Sequence, residues 1–362
     1  MATYEVKTAR PAPDGEKGIV KWIINNLLST PLDVAITFLG IAFIFWVVPP
    51  FVNWAILDAT FIGQTKADCT GGGACWVFIS QKLSMFMYGF YPHEEIYRVN
   101  IVFGLFFAFI AIFKLFGKSF IQKILILSAY PIISYFLIAG GYFGLEVIET
   151  SKWGGLMLTL VIASVGIVVS FPIGIVLAFG RQSQLPIIKN LSVGYIEFIR
   201  GVPLITLLFM GSVILPLFFP EGVDFDKLLR ALIAITLFQA AYIAEVIRGG
   251  LQAIPKGQYE AADSLGLSYW QKMLLVILPQ ALKVSIPNLV GVSIALFKDT
   301  SLVLIIGLFD LLAMVHLTNS DANWLGHDTE GYVFITFIYW FFCYSLSRYS
   351  KVLEKKFNTD HR

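Results

Sequence analysis

The chain has 362 residues, of which 57% are hydrophobic and only 14% charged, and its net charge is +2 at pH 7. That balance leaves too little polar surface to solvate a water-soluble globule. A positive excess this small also gives no electrostatic case for nucleic acid as a partner.

Residues 1–30 are mixed in charge and do not read as a cleaved signal; within them, 17–28 predicts an amphipathic helix lying on a membrane surface. Beyond that point, apolar runs long enough to cross about 30 Å of hydrocarbon, roughly 20 residues as helix, recur between short polar segments. We read about eight crossings, at residues 34–56, 99–115, 124–143, 156–179, 202–219, 228–247, a broken one at 284–314, and 332–347. The runs are continuous rather than alternating, so the expectation is an all-α integral membrane protein and not a β-barrel. With the N-terminus inside, nineteen of the 26 Lys and Arg residues fall on the cytosolic side and six on the other, with Lys298 within the membrane. This asymmetry predicts cytosolic N- and C-termini.

Cys69 and Cys75 flank five residues in the first external loop, while Cys343 lies in the last apolar run. In an oxidising periplasm the first two would close a small disulfide loop; two free thiols are the alternative. In the last external loop, His316, Asp321, His327, Asp328 and Glu330 match no metal-ligand spacing, and a solvated loop is the expectation.

Residues 254–279 are too polar at their start for a span and too patterned for a plain linker. They predict two short helices with an elbow between them. Pro255 suits the first turn, Gly266 a left-handed end, and Ser268 with Gln271 a capping box that opens the second helix. Ala261 and Ala262 keep one face low, Glu260 offers a carboxylate, and Tyr259, Leu265, Trp270 and Met273 offer apolar anchors for another protein. The spacing Glu260-Ala261-Ala262, three residues, Gly266, nine residues, then Val276-Ile277-Leu278-Pro279 resembles the EAA loop of binding-protein-dependent ABC importer permeases, with Val276 where Ile is commoner. Trp153-Gly-Gly-Leu-Met-Leu-Thr-Leu160, Glu197-Phe-Ile-Arg-Gly-Val-Pro-Leu204, Ala241-Tyr-Ile-Ala-Glu-Val-Ile-Arg-Gly-Gly250 and Lys298-Asp-Thr-Ser-Leu302 are similar, in order, to the polar amino-acid permeases of the histidine, glutamine, glutamate and arginine group. The added N-terminal part resembles the longer membrane subunit of general L-amino-acid importers.

The resemblance implies a cytosolic segment at 1–30, a three-helix membrane extension at 31–150, and a five-helix permease core at 151–362 with its coupling loop at 251–279. It implies an importer in the bacterial inner membrane, with Tyr259, Glu260, Ala261, Ala262, Gly266, Leu278 and Pro279 in the loop that meets the ATPase. The implied partners are two ATP-binding ABC subunits, a second permease in a heterodimer, and a periplasmic binding protein that delivers L-amino acids. ATP and Mg would be used by the partner chain, because no phosphate loop is present: Gly117-Lys118-Ser119 has Ile112 where that motif needs its first Gly. Neither a cofactor nor a catalytic set is expected here. A secondary transporter, the main rival, would show repeated halves with matching broken helices, and none is found.

From Pro279 to Met314 the chain runs 36 residues with little polarity. As one straight helix this would be about 54 Å, so it must tilt, break or re-enter. Lys298, Asp299, Thr300 and Ser301 are its strongly polar stretch. Two readings stay open: Lys298 and Asp299 neutralise each other or neighbouring helices while the hydroxyls bond carbonyls at a break, or the stretch lines a substrate pathway. Glu197 with Arg200, and Glu245 with Arg248, are spaced for ion pairs on single helix faces.

Overall fold

A computed structural model describes residues 18–116, 120–220 and 225–357. The expectations placed on residues 1–17, on Gly117-Lys118-Ser119 and on 358–362 lie outside these. The chain divides into two compact units, residues 1–77 and 78–362.

In the first unit α1 (Ile19–Leu27) is exposed along its whole length. Thr30 and Asp33 then cap α2 (Pro31–Val52) reciprocally: the Asp33 N–H donates to Thr30 Oγ1 at 3.2 Å and the Thr30 N–H to Asp33 Oδ2 at 3.1 Å. Pro49 and Pro50 lie inside its last turns, and the helix widens into π turns at Asn53–Leu57. This helix is apolar on every side and buries none of its residues against the protein, which is the pattern of a helix solvated by lipid. The segment after it folds back on itself, with Ala74 N–H donating to Trp54 O and Trp76 Nε1 to Ala55 O, both at 2.8 Å.

The second unit follows α3 (Trp76–Tyr88) with α4 (Ile96–Phe116) and α5 (Phe120–Ala139), which pack on each other. Arg98 is buried; it pairs with Glu95 at 2.6 Å and donates to Glu146 O, tying down the loop after α5. The chain then forms α6 (Gly155–Gln182), α7 (Pro186–Gly201), α8 (Leu204–Phe209) and α9 (Lys227–Gln252). The most extensive packing is between α6 and α9, where Ala240, Ala241 and Ala244 let the backbones approach. After α10 (Lys256–Ser264), α11 (Tyr269–Gln271) runs through π turns at Lys272–Ile277 into α12 (Leu278–Asp299) and a 3-10 segment, Thr300–Ile306. Pro279 has no N–H to give the preceding turn, in keeping with the widened π turns there. Gly307, at φ 72°, ends this long helix. Phe309 and Asp310 pair with Gly154 and Gly155, and α13 (Leu311–Thr318) and α14 (Asp328–Phe357) complete the chain.

The all-α expectation stands, but the count of about eight crossings is corrected. Among the described residues four helices are long and apolar enough to cross a membrane: Pro31–Leu57, Gly155–Gln182, Lys227–Gln252 and Tyr269–Ile306. A fifth results if Pro186–Gly201 and Leu204–Phe218, bent by 103°, make one span. Helix α4 occupies the expected crossing at 99–115 but is not among these candidates. At 124–143 lies α5, of which Ala129–Ala139 counts as a shorter apolar helix among the described residues. At 332–347 the helix is long, but Tyr332, Tyr339, Trp340, Tyr344 and Ser345 interrupt its apolar character. Reading aromatic residues as fully apolar caused the error at 332–347. Among the described residues one candidate span precedes residue 151, and up to four follow it. The break expected near Lys298 is also displaced: the helix only tightens at Thr300 and stops at Gly307.

Candidate functional site

The elbow between α9 and α12 is built from local chemistry. Pro255 stands at the N-cap of α10, one position before the first turn, and its carbonyl accepts the Gln258 N–H at 3.0 Å. At the other end the Leu267 N–H reaches back to Ala262 O at 3.3 Å, and Gly266 makes this closure at φ 69°, where an L side chain is strained. Ser268 then donates from both N–H and Oγ to Gln271 Oε1 at 2.9 Å, opening α11.

Tertiary contacts lock the two arms. Lys272 Nζ meets Asp263 Oδ1 at 2.5 Å, and Gln280 Nε2 donates to Gln258 Oε1 at 3.1 Å. Tyr259 donates its hydroxyl to Leu251 O at 3.2 Å, and burial holds its phenol above the usual range. Met273, Ile277, Leu278 and Ile254 enter one core with Ile243, Ile247 and Phe179. Glu260, Ala261 and Pro279 remain exposed, as do Leu265 at 79% and Trp270 at 58%. Ala262 and Met273, each 2% exposed, face the bundle and are not available as partner contacts. Helical periodicity alone could not say which face turns inward.

Beside the elbow lies a charge network that sequence spacing only half revealed. Glu245 and Arg248 pair within α9 at 2.5 Å. Glu197, in contrast, is taken by Arg181 of α6 at 2.9 Å rather than by Arg200. Arg181 also reaches Glu245 at 3.2 Å, and Arg200 approaches Glu245 at 3.8 Å while lying over the Tyr242 ring. Two carboxylates and three guanidinium groups thus join α6, α7 and α9. A cavity of about 330 Å³ opens next to Glu245, between α9 and α12.

The polar stretch Lys298–Ser301 sits on the same continuous helix as the second arm of the elbow, roughly 40 Å further along it at 1.5 Å per residue. Lys298 is exposed and makes no ion pair with Asp299. Thr300 Oγ1 and Ser301 Oγ donate at 2.9 Å to the carbonyls of Phe297 and Lys298, which accounts for the tightening of the helix there. Cys69 and Cys75 are disulfide-bonded, their Cα atoms 5.6 Å apart. In the loop before α14, His327 contacts Glu330 at 3.2 Å and Asp321 pairs with Lys82 at 2.6 Å. Among the described residues no group of three or more His, Cys, Asp or Glu side chains could hold a metal ion.

Known proteins identify the family. Residues 170–359 match the family described as "Binding-protein-dependent transport system inner membrane component". The chain is similar to the inner membrane amino-acid ABC transporter permease protein YhdY of Escherichia coli K12, 54% identical over 355 residues that cover 97% of this chain and 96% of the relative. It is also similar to the glutamate/glutamine/aspartate/asparagine transport system permease protein BztC of Rhodobacter capsulatus, at 40% identity covering 99% and 98%. The solved structure described as "Crystal structure of an amino acid ABC transporter with histidines" matches with a TM-score of 0.50 and 31% identity, over 56% of this chain and 92% of that one. The non-catalytic, multi-pass inner-membrane chain with this capped elbow belongs to the binding-protein-dependent transport system inner membrane components and, within them, to the ABC importer permeases of the polar amino-acid group.

Proposed function

We propose that the elbow at 251–279 is the seat of an ATP-hydrolysing ABC subunit on the cytosolic face, and that its movement opens a path for L-amino acids through the core at 151–362. The observation that carries this reading is the division of the elbow into two faces. Its outer face leaves Glu260, Ala261, Leu265 and Trp270 exposed, while on its inner face Ala262 is buried, Met273 and Ile277 pack with α6 and α9, and the Asp263–Lys272 pair ties the two arms together. A push on α10 is therefore passed to the bundle rather than absorbed by a loose loop. The second arm continues without interruption to Lys298–Ser301, so the same rigid helix joins the docking face to charged groups suited to the two ends of a zwitterion.

The wider assembly follows from the family: two ATPase subunits that use ATP and Mg, a second permease in a heterodimer, and a periplasmic binding protein that delivers the amino acid. The basic residues supply the orientation, with the N-terminus and the elbow inside and the Cys69–Cys75 loop in the periplasm. The test is co-purification: Glu260→Lys should lower ATPase association with the membrane complex while the chain stays in the membrane. Undiminished association and coupled ATPase activity would count against docking at this face.

A further inference from the structure

At the end of α9 opposite the elbow, a cavity of about 660 Å³ opens between the end of α5, residues 147–151 and the first turn of α9. This size is in the range of small-molecule sites. Tyr135, Val147 and Leu308 give it apolar walls, and Glu149, Asp226, Lys227 and Arg230 bring four ionisable groups.

These four differ in what they already bind. Asp226 is occupied: it caps α9 by accepting the Leu229 N–H at 2.8 Å and also accepts the Thr150 hydroxyl. Among the described residues Glu149 accepts the Ser151 hydroxyl, at 3.1 Å, and forms no ion pair. Lys227 and Arg230 form no ion pair among the described residues. Arg230 Nε is buried with no hydrogen-bond partner. A buried guanidinium N–H without an acceptor is costly and marks a place for an anionic oxygen, and a guanidinium fork fits a carboxylate with two parallel bonds.

We propose that this cavity binds a free α-amino acid, its carboxylate on Arg230 and Lys227, its ammonium on Glu149 and its side chain on the apolar wall. The proposal rests on the amino-acid import reading and adds a loading site apart from Lys298–Ser301. Gly307 and Leu308, which line the cavity, directly follow the 3-10 segment that begins at Thr300. An amino acid held here would sit against the end of the helix that the elbow moves.

The test uses the complex of this chain with its second permease and ATPase, purified without binding protein and titrated calorimetrically with each of the twenty L-amino acids. At least one should bind, and Arg230→Gln and Glu149→Gln should each weaken it roughly tenfold or more. The amide of that amino acid, which lacks the carboxylate, should lose its sensitivity to Arg230→Gln, and its N-acetyl form should lose its sensitivity to Glu149→Gln. A purely structural role would not produce that crossed pattern, and Arg230→Lys with a melting measurement controls for folding. Binding of none of the twenty, or affinity unchanged by both substitutions, overturns the proposal. So does binding of glycerophosphoethanolamine in place of any amino acid, which would assign the cavity to a lipid headgroup. ATP-driven uptake by the wild-type complex with the binding protein added back is measured in parallel: its presence keeps the import reading when the cavity fails, and its absence for all twenty defeats that reading itself.

Discussion

At one end of α9, Glu245 is ringed by Arg181, Arg200 and Arg248, while at the other end Lys227 and Arg230 face a cavity with no carboxylate among the described residues in ion-pair contact. The first arrangement ties three helices together from within the chain. The second leaves cationic capacity unused, and groups left in that state are the ones available to something that arrives and departs. Hydropathy sees one uniform span in α9, whereas the pairing of its charges separates an end that is neutralised within the chain from an end whose cations are unpaired among the described residues.

The largest expected effect on transport comes from a charge on α12 that, like Lys227 and Arg230, has no ion partner among the described residues. Lys298→Met should abolish ATP-driven uptake in vesicles while the complex still assembles, and normal uptake would remove Lys298 from the pathway. Next in size is Glu245→Ala, which leaves three guanidinium groups facing one remaining carboxylate. We expect about 1–3 kcal/mol of lost stability, reduced from fully buried values because these side chains are 21–34% exposed, read as a lower melting temperature of the purified complex. Gly266→Val forces a β-branched side chain to φ 69° and should strain the elbow by about 1–2 kcal/mol. Its readout is weaker ATPase coupling with little change in membrane content.

The smallest expected effect belongs to Asp321, whose carboxyl is held below its usual value first by the Lys82 ammonium and then by the Asn323 N–H. A depressed folded-state pKa contributes stability above the unfolded value of 3.8, and that contribution is lost as pH falls through the lower folded value. Melting curves of wild type and Asp321→Asn should therefore differ slightly at neutral pH and converge in acid. A gap that persists in acid would assign the difference to packing.

The legible parts of the site were those fixed by neighbours in sequence. Gly266 ends α10 and Ser268 with Gln271 starts α11 through contacts spanning only a few residues, so their types and spacing carried the elbow. Burial of Ala262 and Met273 depends on where α6 and α9 pack, which a helical repeat does not contain. The exchange of Arg200 for Arg181 as the partner of Glu197 has the same origin: spacing offers a partner on the same helix, and the fold brings a nearer one from another. The expected crossing at 332–347 failed for a different reason, since Tyr and Trp lengthen an apparent apolar run while carrying polar atoms that shorten its hydrocarbon-matching part.

The central claim, that ATP hydrolysed on a partner drives amino acids past this chain through its elbow, is tested most directly in proteoliposomes holding the two permeases and the ATPase together with the binding protein. Uptake of radiolabelled L-amino acid is measured with Mg-ATP, with a non-hydrolysable analogue, and with an ion gradient alone. The account predicts uptake only with hydrolysable ATP and its loss in Glu260→Lys; uptake sustained by the ion gradient without ATP would contradict it.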